Sequence, residues 1–139
     1  MEPRLKFKLY DGWQKTENPG GPVTYLRGNG PSPGTLQFSS ARPRSGAVAR
    51  RTSEQDLISM CEKLTRDVAN RSEVTRSSGT CEFGIFGTIA VKGTSPAYVQ
   101  AWVLSNQSDY ILVTLVCYTP PDAQETKEAH EIALMTGLS

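Results

Sequence analysis

One imidazole, three thiols and three evenly spaced carboxylates are the groups in this 139-residue chain best able to do covalent or acid–base chemistry. His130 lies in Lys127-Glu128-Ala129-His130-Glu131. A hydrolytic triad needs a nucleophile, a base and an orienting acid that converge in space. No G-x-S-x-G elbow is present to supply the nucleophile. Ala129, Ile132 and Ala133 mark the buried stripe of the surrounding helix, so His130 is expected to face solvent. Glu125, Glu128 and Glu131 recur at three-residue spacing. Taken as the face opposite Ile132, they read as a solvated charge strip rather than an acid–base pair. One helix face of carboxylates also lacks the convergence that a hard cation requires. Cys61, Cys81 and Cys117 show no C-x-x-C spacing, and a single histidine cannot complete a zinc site with them. Cys61 falls on the apolar side of a helix and Cys117 inside an apolar strand, both as small buried hydrophobes. Cys81, in a more polar stretch, is expected to be accessible. The reading is therefore no catalytic residue, no metal and no cofactor.

Two loops invite a binding role. Gly28-Asn29-Gly30-Pro31-Ser32-Pro33-Gly34 is rich in glycine, but it lacks the Lys-Ser/Thr ending of a phosphate loop. Its prolines remove backbone donors, and it leads into a strand rather than a helix. It reads as a connector. The segment Ala41-Arg42-Pro43-Arg44-Ser45-Gly46-Ala47-Val48-Ala49-Arg50-Arg51 carries four arginines just before a helix N-terminus. Guanidinium groups and unpaired helix N–H donors both favour an anion. Charge is unevenly spread, too: residues 1–76 hold 13 basic and 8 acidic side chains, whereas residues 77–139 hold 2 basic and 6 acidic. Arg42, Arg44, Arg50 and Arg51 are thus the candidate surface for an acidic protein partner. The competing reading pairs them with carboxylates from the second half of the chain. Few aromatics interleave with the arginines, which argues against nucleic acid. Trp13 and Trp102 are candidate pocket aromatics, although aromatics on strands more often belong to the core. Trp102 is expected to pack on the first helix.

The elements that must position these groups are legible as punctuation and periodicity. Leu5, Phe7 and Leu9 alternate with Arg4, Lys6 and Lys8, a strand with one wet face that ends in the turn Asp11-Gly12 before Trp13. Short strands follow at 23–26 and 35–39, separated by Gly/Pro loops. Ser53 and Asp56 form a capping-box pattern, and Leu57, Cys61, Leu64 and Val68 recur as one apolar stripe, predicting a helix over 53–70. Glu73 to Thr80 reads as an edge strand. Phe83 to Val91 and Tyr98 to Leu104 read as inner strands, with Gly84, Gly87 and Gly93 marking bulges or close backbone contacts. In Tyr110–Tyr118 both alternate sets are apolar, Ile111, Val113, Leu115 and Cys117 on one side and Leu112 and Val116 on the other, so that strand is covered on both faces. A last helix opens at Pro121-Asp122, runs to about Thr136 and stops at Gly137. The class is α+β: one domain over 1–139, with an antiparallel sheet of six to seven strands in β-β-β-α-β-β-β-β-α order. A three-layer α/β/α sandwich follows, a homodimer covering the second face being the alternative. No apolar run is long enough to cross a bilayer. Residues 1–4 lead into a strand instead of an apolar signal core, so a reducing cytoplasm is the expected compartment.

That order, with Phe7-Lys8-Leu9-Tyr10-Asp11-Gly12-Trp13, Thr35-Leu36-Gln37-Phe38-Ser39, the hairpin through Trp102 to Tyr118 and the closing helix through Ile132, resembles the PsbP-like fold family. The resemblance implies a three-layer sandwich and a non-catalytic binding protein. The family includes photosystem accessory subunits, a Ran-binding import factor and many bacterial proteins, and some bacterial toxin-immunity proteins have a similar architecture. The function expected is a non-catalytic protein-binding module of the bacterial immunity or adaptor kind. The alternative is a small-ligand binder or minor enzyme with a pocket between sheet and helix.

Overall fold

The computed structural model describes residues 5–6, 13–15, 23–27, 34–41 and 52–138. The order is β1 (Leu5–Lys6), β2 (Trp13–Lys15), β3 (Val23–Arg27), β4 (Thr35–Ala41), α1 (Glu54–Leu64), β5 (Glu73–Thr80), β6 (Ile85–Lys92), β7 (Tyr98–Ser105), β8 (Tyr110–Cys117), α2 (Ala123–Leu134) and β9 (Gly137–Leu138). Seven strands make one sheet in the order β2-β3-β4-β8-β7-β6-β5. Every pairing in it is antiparallel.

The alternation along β7 and β8 sorts the core into two layers. Tyr98, Trp102 and Leu104 of β7 join Ile111, Val113, Leu115 and Cys117 of β8 on the face that meets Ala129, Ile132 and Ala133 of α2. Val99, Ala101 and Val103 point the other way, onto Leu57 and Cys61 of α1, where Leu112 and Val116 also pack. The helices therefore lie on opposite faces of one sheet, as expected for a central strand apolar on both sides.

The two helices dock differently. α1 comes down onto β6 so closely that a Cβ on Gly87 would meet the Ile58 amide nitrogen at 2.7 Å and the Leu57 carbonyl carbon at 2.9 Å. Trp102 lies between Ala101 and Val103, which face α1, so strand alternation turns it to the α2 side and not against α1. The capping box is formed: Ser53 Oγ accepts from the Asp56 amide, and Asp56 Oδ2 accepts from the Ser53 amide.

Three elements depart from the sequence reading. α1 ends at Leu64, not at residue 70. Thr65 turns its hydroxyl back to Cys61 O, while the Arg71 guanidinium donates to the Thr65 carbonyl. That carbonyl is thereby taken up by a side chain, and Leu64 at the frayed end is exposed. Trp13 begins a short strand that the sequence reading does not include, and pairs with Arg27 of β3; the turn expected at Asp11-Gly12 lies outside the described residues. Gly137 continues into β9, which pairs with β1 in a separate two-stranded ladder.

Candidate functional site

Arg42, Arg44, Arg50 and Arg51 lie outside the described residues. Their flanks are placed, however, and they converge. Ala41, the last residue of β4, pairs with Tyr110 at the start of β8. Thr52, which precedes the α1 cap, shares a hydrogen bond with the same tyrosine, Oγ1 to hydroxyl at 2.8 Å. Gln107, in the β7–β8 turn, clasps the Thr52 backbone from both sides: the Thr52 amide donates to Oε1 at 2.7 Å, and Nε2 donates to the Thr52 carbonyl at 2.9 Å. The two ends of the arginine segment are thus fastened at one corner of the sheet.

Trp13 and Trp102 are both buried, at 6 % and 0 % exposure. Each indole N–H is used inside the protein. Trp13 Nε1 donates to Glu128 Oε1 at 2.9 Å, and Trp102 Nε1 donates to His130 Nδ1 at 3.0 Å. A cleft of about 600 Å³ opens elsewhere, between Ser72, Lys92 and Tyr98 on the sheet and Pro121, Asp122 and Thr126 at the start of α2. Neither tryptophan is among its lining residues.

The acceptors of both indoles sit on α2 and correct the reading of that helix. Glu125 and Glu128 do not form a solvated strip; they are buried at 6 % and 8 % exposure. Glu125 Oε2 accepts from the Gly34 amide at 2.8 Å, and Glu128 also takes a bond from Gln124. His130 is half-buried instead of solvent-facing and stands edge-on to Phe86. The signal was present in the spacing. Glu125 and Glu128 precede Ala129 and Ile132 by one helical turn each, which places them on the apolar stripe, not across from it. The burial is tolerated because each carboxylate has a hydrogen-bond donor. Gly34 shows how close the approach is, since a Cβ there would meet Cys117 Sγ at 2.6 Å and Glu125 Oε2 at 2.9 Å.

The electrostatics suit packing more than reaction. Burial holds the His130 imidazole below its ordinary value, with neighbouring Glu131 opposing that shift. Its Nδ1 accepts a hydrogen bond, so the neutral ring is the form that fits. Burial pushes the Cys61 thiol up to about 12 and, helped by the Glu125 carboxylate, pushes Cys117 up to about 12 as well. Both thiols are buried, as the sequence predicts. Cys81 is half-buried, and burial raises its thiol too. A protonated thiol is a poor nucleophile and a poor metal ligand. Among the described residues, no buried side-chain nitrogen or oxygen lacks a partner, and no cluster of His, Cys, Asp or Glu is arranged to hold a metal ion.

No protein-family model matches the chain, and no curated protein is similar to it in sequence. Solved structures are similar in fold. LpqN of Mycobacterium tuberculosis, involved in cell envelope biogenesis, superposes with a TM-score of 0.64 at 9 % identity, over 99 % of this chain and 84 % of its own. Cyanobacterial PsbP from Synechocystis sp. PCC 6803 superposes at 0.53 with 12 % identity, over 97 % of this chain and 92 % of its own. The chain has a PsbP-like fold. A Bacteroides thetaiotaomicron protein superposes at 0.52 with 12 % identity, the match covering 97 % of this chain and 45 % of that one. Identities this low speak to the PsbP-like architecture and not to shared sites. Among the described residues, no helix is long and apolar enough to cross a membrane.

Proposed function

We propose that this protein is a non-catalytic recognition module, of the immunity or adaptor kind, that binds an acidic protein partner through Arg42, Arg44, Arg50 and Arg51. The observation that carries the reading is the convergence of Ala41 and Thr52 on Tyr110. Four arginines within ten residues of sequence therefore belong to a segment whose two described flanks meet beside one tyrosine. Such a charge cluster speeds encounter with an acidic surface and rejects basic ones. The internal use of both indoles and of the α2 carboxylates supports the same reading, because those polar groups already hold the fold together. The cytoplasm is the proposed compartment, in keeping with three free cysteines. LpqN's link to the cell envelope makes cell fractionation the deciding comparison.

The test is binding of a fluorescein-labelled Asp/Glu-rich peptide, followed by anisotropy at low and high salt. The wild-type chain is expected to bind at low salt and weaken as salt rises. Reversal of all four arginines to Glu is expected to abolish binding while leaving the circular dichroism spectrum unchanged. Undiminished binding by the reversed variant at low salt would contradict the proposal. The cleft beside Lys92 and Tyr98 favours a second reading, a small-ligand binder, since its volume of about 600 Å³ suits a metabolite. That reading expects a thermal shift with a small molecule that the arginine reversals do not alter.

A further inference from the structure

One edge of the seven-stranded sheet is uncovered by any other described strand. β5 lies at the end of the strand order and, among the described residues, pairs only with β6. Its register with β6 runs without a bulge from Glu73–Lys92 to Thr80–Ile85. The strand reads Glu-Val-Thr-Arg-Ser-Ser-Gly-Thr, with no proline and no lysine, and all but Val74 and Gly79 are exposed. Soluble proteins usually blunt such an edge with a proline, a bulge, an inward charge or a covering loop. Here the two charged side chains are drawn back onto the fold: Arg76 to Glu62 of α1, and Glu73 to Lys92 of β6. Ser78 is likewise held by Glu54 of α1. What remains at the rim is a straight backbone edge flanked by small side chains.

We propose that β5 pairs antiparallel with β5 of a second copy of this chain, joining the two sheets across a two-fold axis. The occupant follows from the residues themselves. Val74, Arg76 and Ser78 point to the α1 side, since Val74 packs in the α1 core and the other two bond α1 carboxylates. A two-fold antiparallel pairing sets like-facing side chains opposite each other, which requires a register centred on a residue. Centring on Arg76 would press two guanidinium groups together. Centring on Ser77 instead places Val74 opposite Thr80, Thr75 opposite Gly79 and Arg76 opposite Ser78 of the second copy, with no like charges facing. Centres further along the strand shorten the overlap. A foreign peptide would gain the same backbone hydrogen bonds, but the flanking hydroxyls offer it few side-chain pockets by which to be selected. Both edges are already formed in the monomer, so pairing pays little of the ordering cost that an unstructured strand would incur.

The experiment is sedimentation velocity of the full chain over a concentration series, with Ser77→Lys, Ser77→Glu and their equimolar mixture. Ser77 is exposed, and circular dichroism checks that each variant folds. The wild type is expected to show a concentration-dependent dimer, each charged variant a monomer, and the mixture a dimer again, because lysine then faces glutamate across the axis. A wild type that stays monomeric up to about 1 mM overturns the proposal. So does a dimer that persists in both single variants, or a mixture that fails to reassociate.

Discussion

The most informative residues are the ones that looked most like chemistry. His130 and Glu128 are hydrogen-bond acceptors for two buried indoles, and this use determines what acid should do. Burial lowers the folded-state pKa of His130 below its ordinary value of 6.5. The unfolded chain therefore binds more protons than the folded one as pH falls through that value. The stabilisation from His130 is fully present above the unfolded pKa and is lost on acidification. The melting temperature is expected to drop between about pH 7 and pH 5, and His130→Asn is expected to flatten that drop, because the Asn Oδ1 can accept from Trp102 without titrating. An unchanged pH profile in the variant would show that the imidazole is not the group responsible. Trp13→Phe keeps an aromatic side chain but loses the pyrrole half of the indole, and with it the donor to a buried carboxylate. It is expected to cost about 1–3 kcal/mol in a urea titration, and a cost near zero would mean the Glu128 contact is incidental.

At the scale of the element, legibility depended on how local the causes were. The α1 start was readable because Ser53 and Asp56 carry the whole capping box within one turn. β8 was readable because its two alternating apolar sets are written in consecutive residues, and each set found its layer. The α1 end was not, because what takes the Thr65 carbonyl is Arg71, six residues further on. The β1–β9 ladder was not, because it joins the two ends of the chain. The burial of Glu125 was written in the helical spacing, but its justification, the Gly34 amide, lies 91 residues away. Close docking of α1 gives a prediction at this scale. Gly87→Ala drives a methyl group into the α1 backbone and is expected to cost about 1–3 kcal/mol. Gly137→Ala, with no atom within 4 Å of the added Cβ, serves as the comparison and is expected to be nearly neutral. Equal effects of the two in thermal unfolding would contradict the close approach of α1.

The whole molecule divides its labour between a self-satisfied interior and an asymmetric surface. Inside, the polar groups of α2 are matched to sheet donors, and the thiols are held protonated by burial. Outside, one corner gathers the flanks of a four-arginine segment, and among the described residues one edge strand pairs on a single side. The fold class and the layer order could be argued from the sequence. The candidate surface could be named there from arginine spacing, but the convergence of its flanks on Tyr110 required the structure, since residues 41, 52 and 110 meet only once the sheet forms. This division predicts that stability and recognition separate under mutation. The most direct measurement is the affinity of the labelled acidic peptide for Trp13→Phe and for the four-arginine reversal, side by side at low salt and at a temperature where both are folded. The account predicts that Trp13→Phe binds like wild type although it unfolds more easily, while the reversal unfolds like wild type and does not bind. Binding lost with Trp13→Phe but kept in the arginine reversal would contradict it.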